Sequence, residues 1–216
     1  MPIPFSPILA LVLMALSAGP ALADDVVAHV TDSQGAPLAD AVVTLTPDTL
    51  PPLGPPADAI VDQVNLQFVP YVTVIRAGAT VTFPNSDKVR HHVYSFSPAK
   101  TFELPLYPSG SSPSLQFDKP GVVPLGCNIH DWMLAYIYVS ATPYFAKTGG
   151  DGRATLAAVP GGTYAARVWH PRLVGTEAAT TRRVEIGAAT GELQWVLKLK
   201  PEFRIPRRRM EGGPGY

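Results

Sequence analysis

Apolar and polar residues alternate along most of this chain in short runs, with little of the three-to-four-residue spacing that marks a helix. The clearest run is Leu193-Gln194-Trp195-Val196-Leu197-Lys198-Leu199-Lys200. It puts Leu193, Trp195, Leu197 and Leu199 on one face and Gln194, Lys198 and Lys200 on the other, the period of two of a half-buried strand. The same pattern predicts strands over residues 26–31, 41–46, 73–75, 80–83, 122–125, 135–139 and 164–169. Turn signals fall between them at Ser33-Gln34-Gly35, Ala77-Gly78, Lys119-Pro120-Gly121, Gly149-Gly150-Asp151-Gly152 and Pro160-Gly161-Gly162. Many short strands with Gly and Pro punctuation predict an all-β fold built as sandwiches or barrels.

Two compositional breaks divide the pattern. Residues 49–58 are rich in proline, and Ala141-Thr142-Pro143 follows the strand at 135–139. The expected layout is therefore a β-sandwich over 59–142, flanked by 24–58 and 143–200, with a basic tail over 201–216. Neither flank is large enough to close a good core alone. Apolar residues make up 46% of the chain despite 24 Pro and 18 Gly, so it is turn-rich and folded rather than disordered. Lys+Arg and Asp+Glu number 17 each. That balance argues against a nucleic-acid binder, which carries a basic footprint; here only the tail Arg204-Ile205-Pro206-Arg207-Arg208-Arg209 is locally basic.

Residues 4–23 form a short apolar run that ends in Ala21-Leu22-Ala23 before Asp24-Asp25. The small-x-small ending predicts a cleaved export signal over 1–23, and hence a periplasmic or secreted protein with no stable membrane insertion after cleavage. Export gives the single cysteine, Cys127, a particular meaning, because in an oxidising compartment a lone thiol has no disulfide partner. It lies in Gly126-Cys127-Asn128-Ile129-His130-Asp131-Trp132-Met133. With 5 His and 4 Met in the chain, His at +3 and Met at +6 would coincide by chance roughly once in 2,300, which disfavours accident. A thiolate, an imidazole and a thioether on one loop, joined by a second histidine, form the trigonal set with a weak axial methionine that holds electron-transfer copper. His91 and His92, in Arg90-His91-His92-Val93, are the candidates for that second imidazole. Adjacent strand residues face opposite ways, so one of the pair should reach the metal. A bulge at that point would break the alternation.

The middle segment resembles the cupredoxins. Phe68-Val69-Pro70 and residues 74–85 look like opening strands, His91-His92-Val93 looks like the His-Asn-Val ligand element, and Cys127 to Met133 resembles the short Cys-x-x-His-x-x-Met loop of the amicyanin type rather than the longer plastocyanin one. Asp62-Gln63-Val64-Asn65-Leu66, taken with the cysteine loop, also resembles exported cupredoxin-like proteins called methylamine-utilisation proteins. Residues 30–45 and 151–164 resemble the two halves of a carboxypeptidase-regulatory-like, transthyretin-like sandwich. The implied architecture is a Greek-key cupredoxin sandwich inserted in, or packed beside, that second sandwich.

The resemblance implies one copper per chain, held by His91, Cys127 and His130 with Met133 axial, and it places His91 rather than His92 in the ligand position. Asn85 either ties the ligand loop to the backbone near Cys127 or is an ordinary turn residue. Trp132 either covers the metal or fills the core, and His92 falls outside the ligand plane. Asp131 is too hard a donor for this set, and His29 and His170 have no second soft ligand near them in sequence.

The expected function is non-enzymatic electron transfer with unidentified redox partner proteins. The alternative is a copper-binding accessory or delivery protein that assists an exported redox enzyme. Four ligands leave no vacant position for a catalytic copper, and a dinuclear site would need a second cysteine.

Overall fold

The computed structural model describes residues 23–187 and 190–202. The export signal expected over 1–23 and the basic tail expected over 201–216 thus fall almost wholly outside the described residues. The first flank supplies β1 (Ala23–Asp32) and β2 (Val42–Pro47). The middle segment supplies β3 (Ala59–Ile60), β4 (Asp62–Gln63), β5 (Phe68–Val69), β6 (Val72–Arg76) and β7 (Ala79–Thr82), then β8 (His91–Phe96), β9 (Thr101–Tyr107), β10 (Ser114–Phe117), β11 (Gly121–Gly126) and β12 (Leu134–Ser140). The second flank supplies β13 (Tyr144–Lys147), β14 (Arg153–Pro160), β15 (Gly162–Trp169), β16 (Arg182–Ile186) and β17 (Leu193–Leu197). One 3-10 turn, Glu177–Thr180, is the only helical element among the described residues. The fold is all-β.

Strands of the two flanks share their sheets. One sheet runs β14-β1-β17 and the other β13-β2-β15-β16. In β1, Val26, Ala28 and Val30 alternate inward and meet Val43 and Leu45 of β2, Leu156 of β14, Val168 of β15, and Trp195 and Leu197 of β17 in one core. In β17, Trp195 and Leu197 point in while Val196 stays 67% exposed, the face division read from the alternation. Gly152 takes a positive φ of 73° where the chain reverses before β14. A Cβ there would fall 2.6 Å from the Val30 carbonyl oxygen, so only glycine fits this close approach.

Among the described residues the middle strands pair only with one another, in a sheet β6-β12-β11-β8-β9, a sheet β10-β7-β3 and the β4-β5 hairpin. Val81 and Phe117 from the smaller sheet, with Phe83 just past β7, pack against Val93, Val123, Leu125, Ala135 and Ile137 from the larger one. Cys127 and Met133 belong to the same core.

β12 is buried on both faces. Ala135, Ile137 and Val139 face the middle core, while Tyr136 and Tyr138 turn outward onto Trp169 of β15, at ring-centroid distances of 5.7 and 5.6 Å. Val42, Val72 and Tyr138 form a small separate core at this seam. After β12 the chain turns at once into the flanking sheets: the Thr142 hydroxyl donates to the Leu45 carbonyl at 2.6 Å. On the other connection, the Arg76 guanidinium donates to the Gly54 carbonyl and holds the proline-rich segment against the middle strands.

β1 lies between β14 and β17 and pairs with both. A chain of residues 147–216 alone therefore lacks the central strand of one sheet and β2 of the other. We expect that fragment to be insoluble, or to show no cooperative urea transition by circular dichroism. A soluble fragment with a sharp transition would show that the N-terminal strands are dispensable to the second flank.

Candidate metal centre

Cys127 stands one residue past β11, where Gly126 pairs with Leu134 of β12 and Tyr94 of β8. The Tyr94 ring lies so close to Gly126 that a Cβ there would be 2.7 Å from its Cζ. A larger residue before the cysteine would have to push the Tyr94 ring aside. The chain then turns through Asn128 to Met133, closed by the Met133 amide donating to the His130 carbonyl at 2.9 Å. This tight return brings His130 beside the cysteine that precedes it by three residues.

His91 opens β8 and is fully buried. Its Nδ1 lies 4.0 Å from Cys127 Sγ, and His130 Nδ1 lies 3.7 Å from the same sulfur. The two imidazole rings are 4.9 Å apart. The three donor atoms all fall within 4.8 Å of one another, the one such cluster of three or more His, Cys, Asp or Glu among the described residues. Cys127 is 3% and Met133 2% exposed, whereas His130 is only half-buried and gives the cluster its side toward solvent.

His91 and His92 part company as alternation requires. A register shift does occur between His91 and Val93, but β8 advances two residues there while β9 advances three, from Tyr107 to Leu104. The extra residue lies on β9, so the side chains of β8 keep alternating. His92 turns away from the sulfur, bonds Glu103 at 2.8 Å and packs on Tyr94 at 5.5 Å. It contributes by its backbone, whose amide hydrogen-bonds the Cys127 sulfur together with the amide of Ile129.

Those bonds set the charge state. Burial alone would raise the Cys127 thiol, but the hydrogen bond from His91 and the two amides outweigh it and hold the thiol below its ordinary value. Burial likewise opposes a charged His91, yet the Cys127 sulfur and the Asp87 carboxylate outweigh it and raise its pKa. His130 is lowered by burial and by its neighbour His91. The shifts of Cys127 and His91 thus both run toward the charged form and that of His130 toward the neutral one; metal ligation uses the deprotonated thiol and neutral imidazoles.

Asp87 was not picked out by the sequence reading. Its Oδ2 lies 2.8 Å from His91 Nε2, which directs Nδ1 of the same ring at the sulfur, the carboxylate–histidine arrangement that fixes a metal ligand's tautomer and orientation. A carboxylate four residues before a candidate ligand was a usable signal, hidden because Asn85-Ser86-Asp87 also reads as a turn. Asn85, 1% exposed, sends its side-chain amide to the carbonyls of Val89 at 2.9 Å and Tyr107 at 3.2 Å, and its Oδ1 accepts from the Asp87 amide at 3.0 Å. It ties the His91 loop to itself and to the end of β9, not to the backbone near Cys127.

Next to it, Gln63 donates to the Tyr107 hydroxyl, which donates to the Phe83 carbonyl at 3.0 Å. Burial pushes that hydroxyl up to about 12. Trp132 packs on His130 at 5.4 Å, lies against the middle core and donates its indole N–H to the Leu66 carbonyl at 3.1 Å. His170, in the flank, accepts from the Arg172 amide at 3.1 Å and is lowered by burial.

No family model matches this chain, and no curated protein does. Among solved structures, a Cu-containing nitrite reductase from Thermus scotoductus SA-01 is similar at 29% identity over 43% of this chain, with a TM-score of 0.37. The match spans 23% of the reductase's own length. A purple cupredoxin from Nitrosopumilus maritimus is similar at 26% identity over 38% of this chain and 100% of its own, with a TM-score of 0.35. The Cu(I) form of an amicyanin point mutant is similar at 19% identity over 45% of this chain and 98% of its own, with a TM-score of 0.36.

Proposed function

We propose that this chain is an exported cupredoxin in which His91, Cys127 and His130, with Met133 as a weaker fourth ligand, would hold one copper ion, and that it passes electrons between partner proteins without bond-making chemistry of its own. One observation carries the reading: two imidazole Nδ1 atoms and a single buried, acidified thiol converge within 4.8 Å. The donor set fits copper. Two imidazoles and a thiolate with a thioether nearby in sequence suit both of its common oxidation states, whereas hard cations prefer oxygen donors. When bound, copper supplies a one-electron couple.

The chain's own residues do the rest. Asp87 holds His91 in one tautomer. The amides of His92 and Ile129 stabilise negative charge on the Cys127 sulfur. Burial of His91, Cys127 and Met133 in a packed sandwich restricts how far the ligands can move, which keeps the rearrangement between oxidation states small. The half-buried His130 is the group nearest solvent. Ile129 at 52% and Leu134 at 42% exposure lie on either side of it in sequence, and a redox partner would meet this end of the molecule.

Adding Cu(II) to the leader-free chain should give one equivalent of strongly coloured, thiolate-bound copper, seen as an intense visible charge-transfer band. Cys127→Ser should abolish it. An intense band that survives in the variant, or none in the parent, would falsify the assignment.

The alternation at β8 generates a second test. His91→Gly should leave a gap that added imidazole fills, restoring the parent spectrum, while His92→Gly should keep the copper spectrum without imidazole. The reverse pattern would transfer the ligand role to His92.

A further inference from the structure

The two histidine-bearing loops are joined by a third segment that belongs to neither. Residues 62–69 form a hairpin of two-residue strands, β4 and β5, closed by reciprocal bonds between Val64 and Gln67, the Val64 amide to the Gln67 carbonyl at 2.9 Å and the return bond at 3.1 Å. Its tip residues Asn65 and Leu66 both have positive φ, 52° and 58°. Such a tip normally takes Asn-Gly, because an L side chain is strained in the left-handed region, and leucine at the second position is a costly choice. A hairpin this short is marginal by itself, so its conformation has to be imposed from outside.

Two groups impose it. Asp87 accepts from the Asn65 amide at 2.6 Å through Oδ1 and from the Leu66 amide at 2.8 Å through Oδ2, the same oxygen that lies against His91 Nε2. From the other side, the indole of Trp132 donates to the Leu66 carbonyl while its ring packs on His130. Leu66 is thus held through its N–H by the group that orients His91, and through its C=O by the group that packs on His130. The base of the hairpin is fixed independently: the Ser86 hydroxyl donates to Asp62 at 2.8 Å, and the Gln63 amide donates to the Pro84 carbonyl at 3.1 Å.

We propose that the strained Asn65–Leu66 tip is a positioning bridge, in which the Leu66 peptide groups couple Asp87 to Trp132 and so fix the spacing of the His91 and His130 imidazoles. Loosening either end then lets both ligand loops relax. Asp87 and Trp132 act as one unit although the bonds that join them run through a third residue. The bridge rests on the copper reading only where copper is the reporter; its first consequence is visible in the metal-free chain.

The test is a double-variant cycle in the full chain with Asp87→Asn and Trp132→Phe, the second of which keeps a ring against His130 but removes the indole donor. In the metal-free protein, Trp132→Phe should speed hydrogen exchange at the Asn65 and Leu66 amides by on the order of tenfold, although both amides bond to Asp87 on the far side of the turn. Unchanged exchange there overturns the bridge whatever the protein binds. With copper loaded, each single variant should shift the reduction potential and speed copper release to a chelator by on the order of tenfold. The double variant should release copper no more than about twice as fast as the faster single one, because residues that act through one element are not additive. Multiplication of the two effects would mean that they act separately, and also overturns the bridge. If Asp87→Asn does not fold, Asp87→Glu keeps the charge and displaces the carboxylate, and the same outcomes decide. Failure of the parent to take up copper would sink the copper reading and leave the amide-exchange result to judge the bridge.

Discussion

A polar sulfur inside a packed core has to be met by donors, and the arrangement around Cys127 follows from that requirement. Two backbone amides and two imidazoles converge on it from two different parts of the chain, the start of β8 and the turn after β11. For both to arrive, β8 and β11 must lie side by side in the five-stranded sheet. The Tyr94 ring closes over Gly126, the residue before the cysteine. Asp87 then has to meet the far nitrogen of His91, and Asn85 has to hold the loop that presents Asp87. Each step satisfies a polar group that the preceding one has buried.

The two sandwiches meet through β12, whose sequence carries both commitments at once. Leu134-Ala135-Tyr136-Ile137-Tyr138-Val139-Ser140 gives aliphatic side chains to the middle core and tyrosines to the other face. Trp169 covers those tyrosines, and the Tyr138 hydroxyl donates to Glu177 at 2.5 Å. Since β12 begins directly after Met133, the flanking strands brace the strand into which the cysteine turn feeds. Movement of the cysteine turn is thereby restrained from outside the middle core as well as from within it.

The alternation along the chain made β1, β15 and β17 legible, because each buries one set of side chains and its apolar positions fall two apart; β2 and β12, buried on both faces, were legible as short apolar runs. β9 was not among the predicted strands although Phe102, Leu104 and Leu106 fall two apart: Pro105 lies inside it, and only Tyr107 of its seven residues is buried. The cysteine turn was legible because Cys127, His130 and Met133 are rare types at close spacing. Alternation said that one of His91 and His92 faces the cysteine, and the resemblance to His-Asn-Val chose His91; the alternation survives because the extra residue of the bulge lies on β9. Asp87, Leu66 and Gln63 were not legible. Leu66 and Gln63 act through backbone groups and partners about twenty or more residues away, while the contact of Asp87 with His91 four residues on is hidden because Asn85-Ser86-Asp87 also reads as a turn. The ion pair between Asp40 and Lys147, at 2.7 Å and 107 residues apart, is another contact that only the paired flanks create.

If the sulfur and two imidazoles are held in place by the surrounding core, the first coordination shell should scarcely change between copper oxidation states. X-ray absorption at the copper edge, on the full chain loaded with one equivalent and measured oxidised and then reduced, tests this most directly. The account predicts two nitrogen scatterers and one short sulfur scatterer in both states. Loss of the sulfur on reduction, or a gain of further light-atom ligands on oxidation, would contradict it.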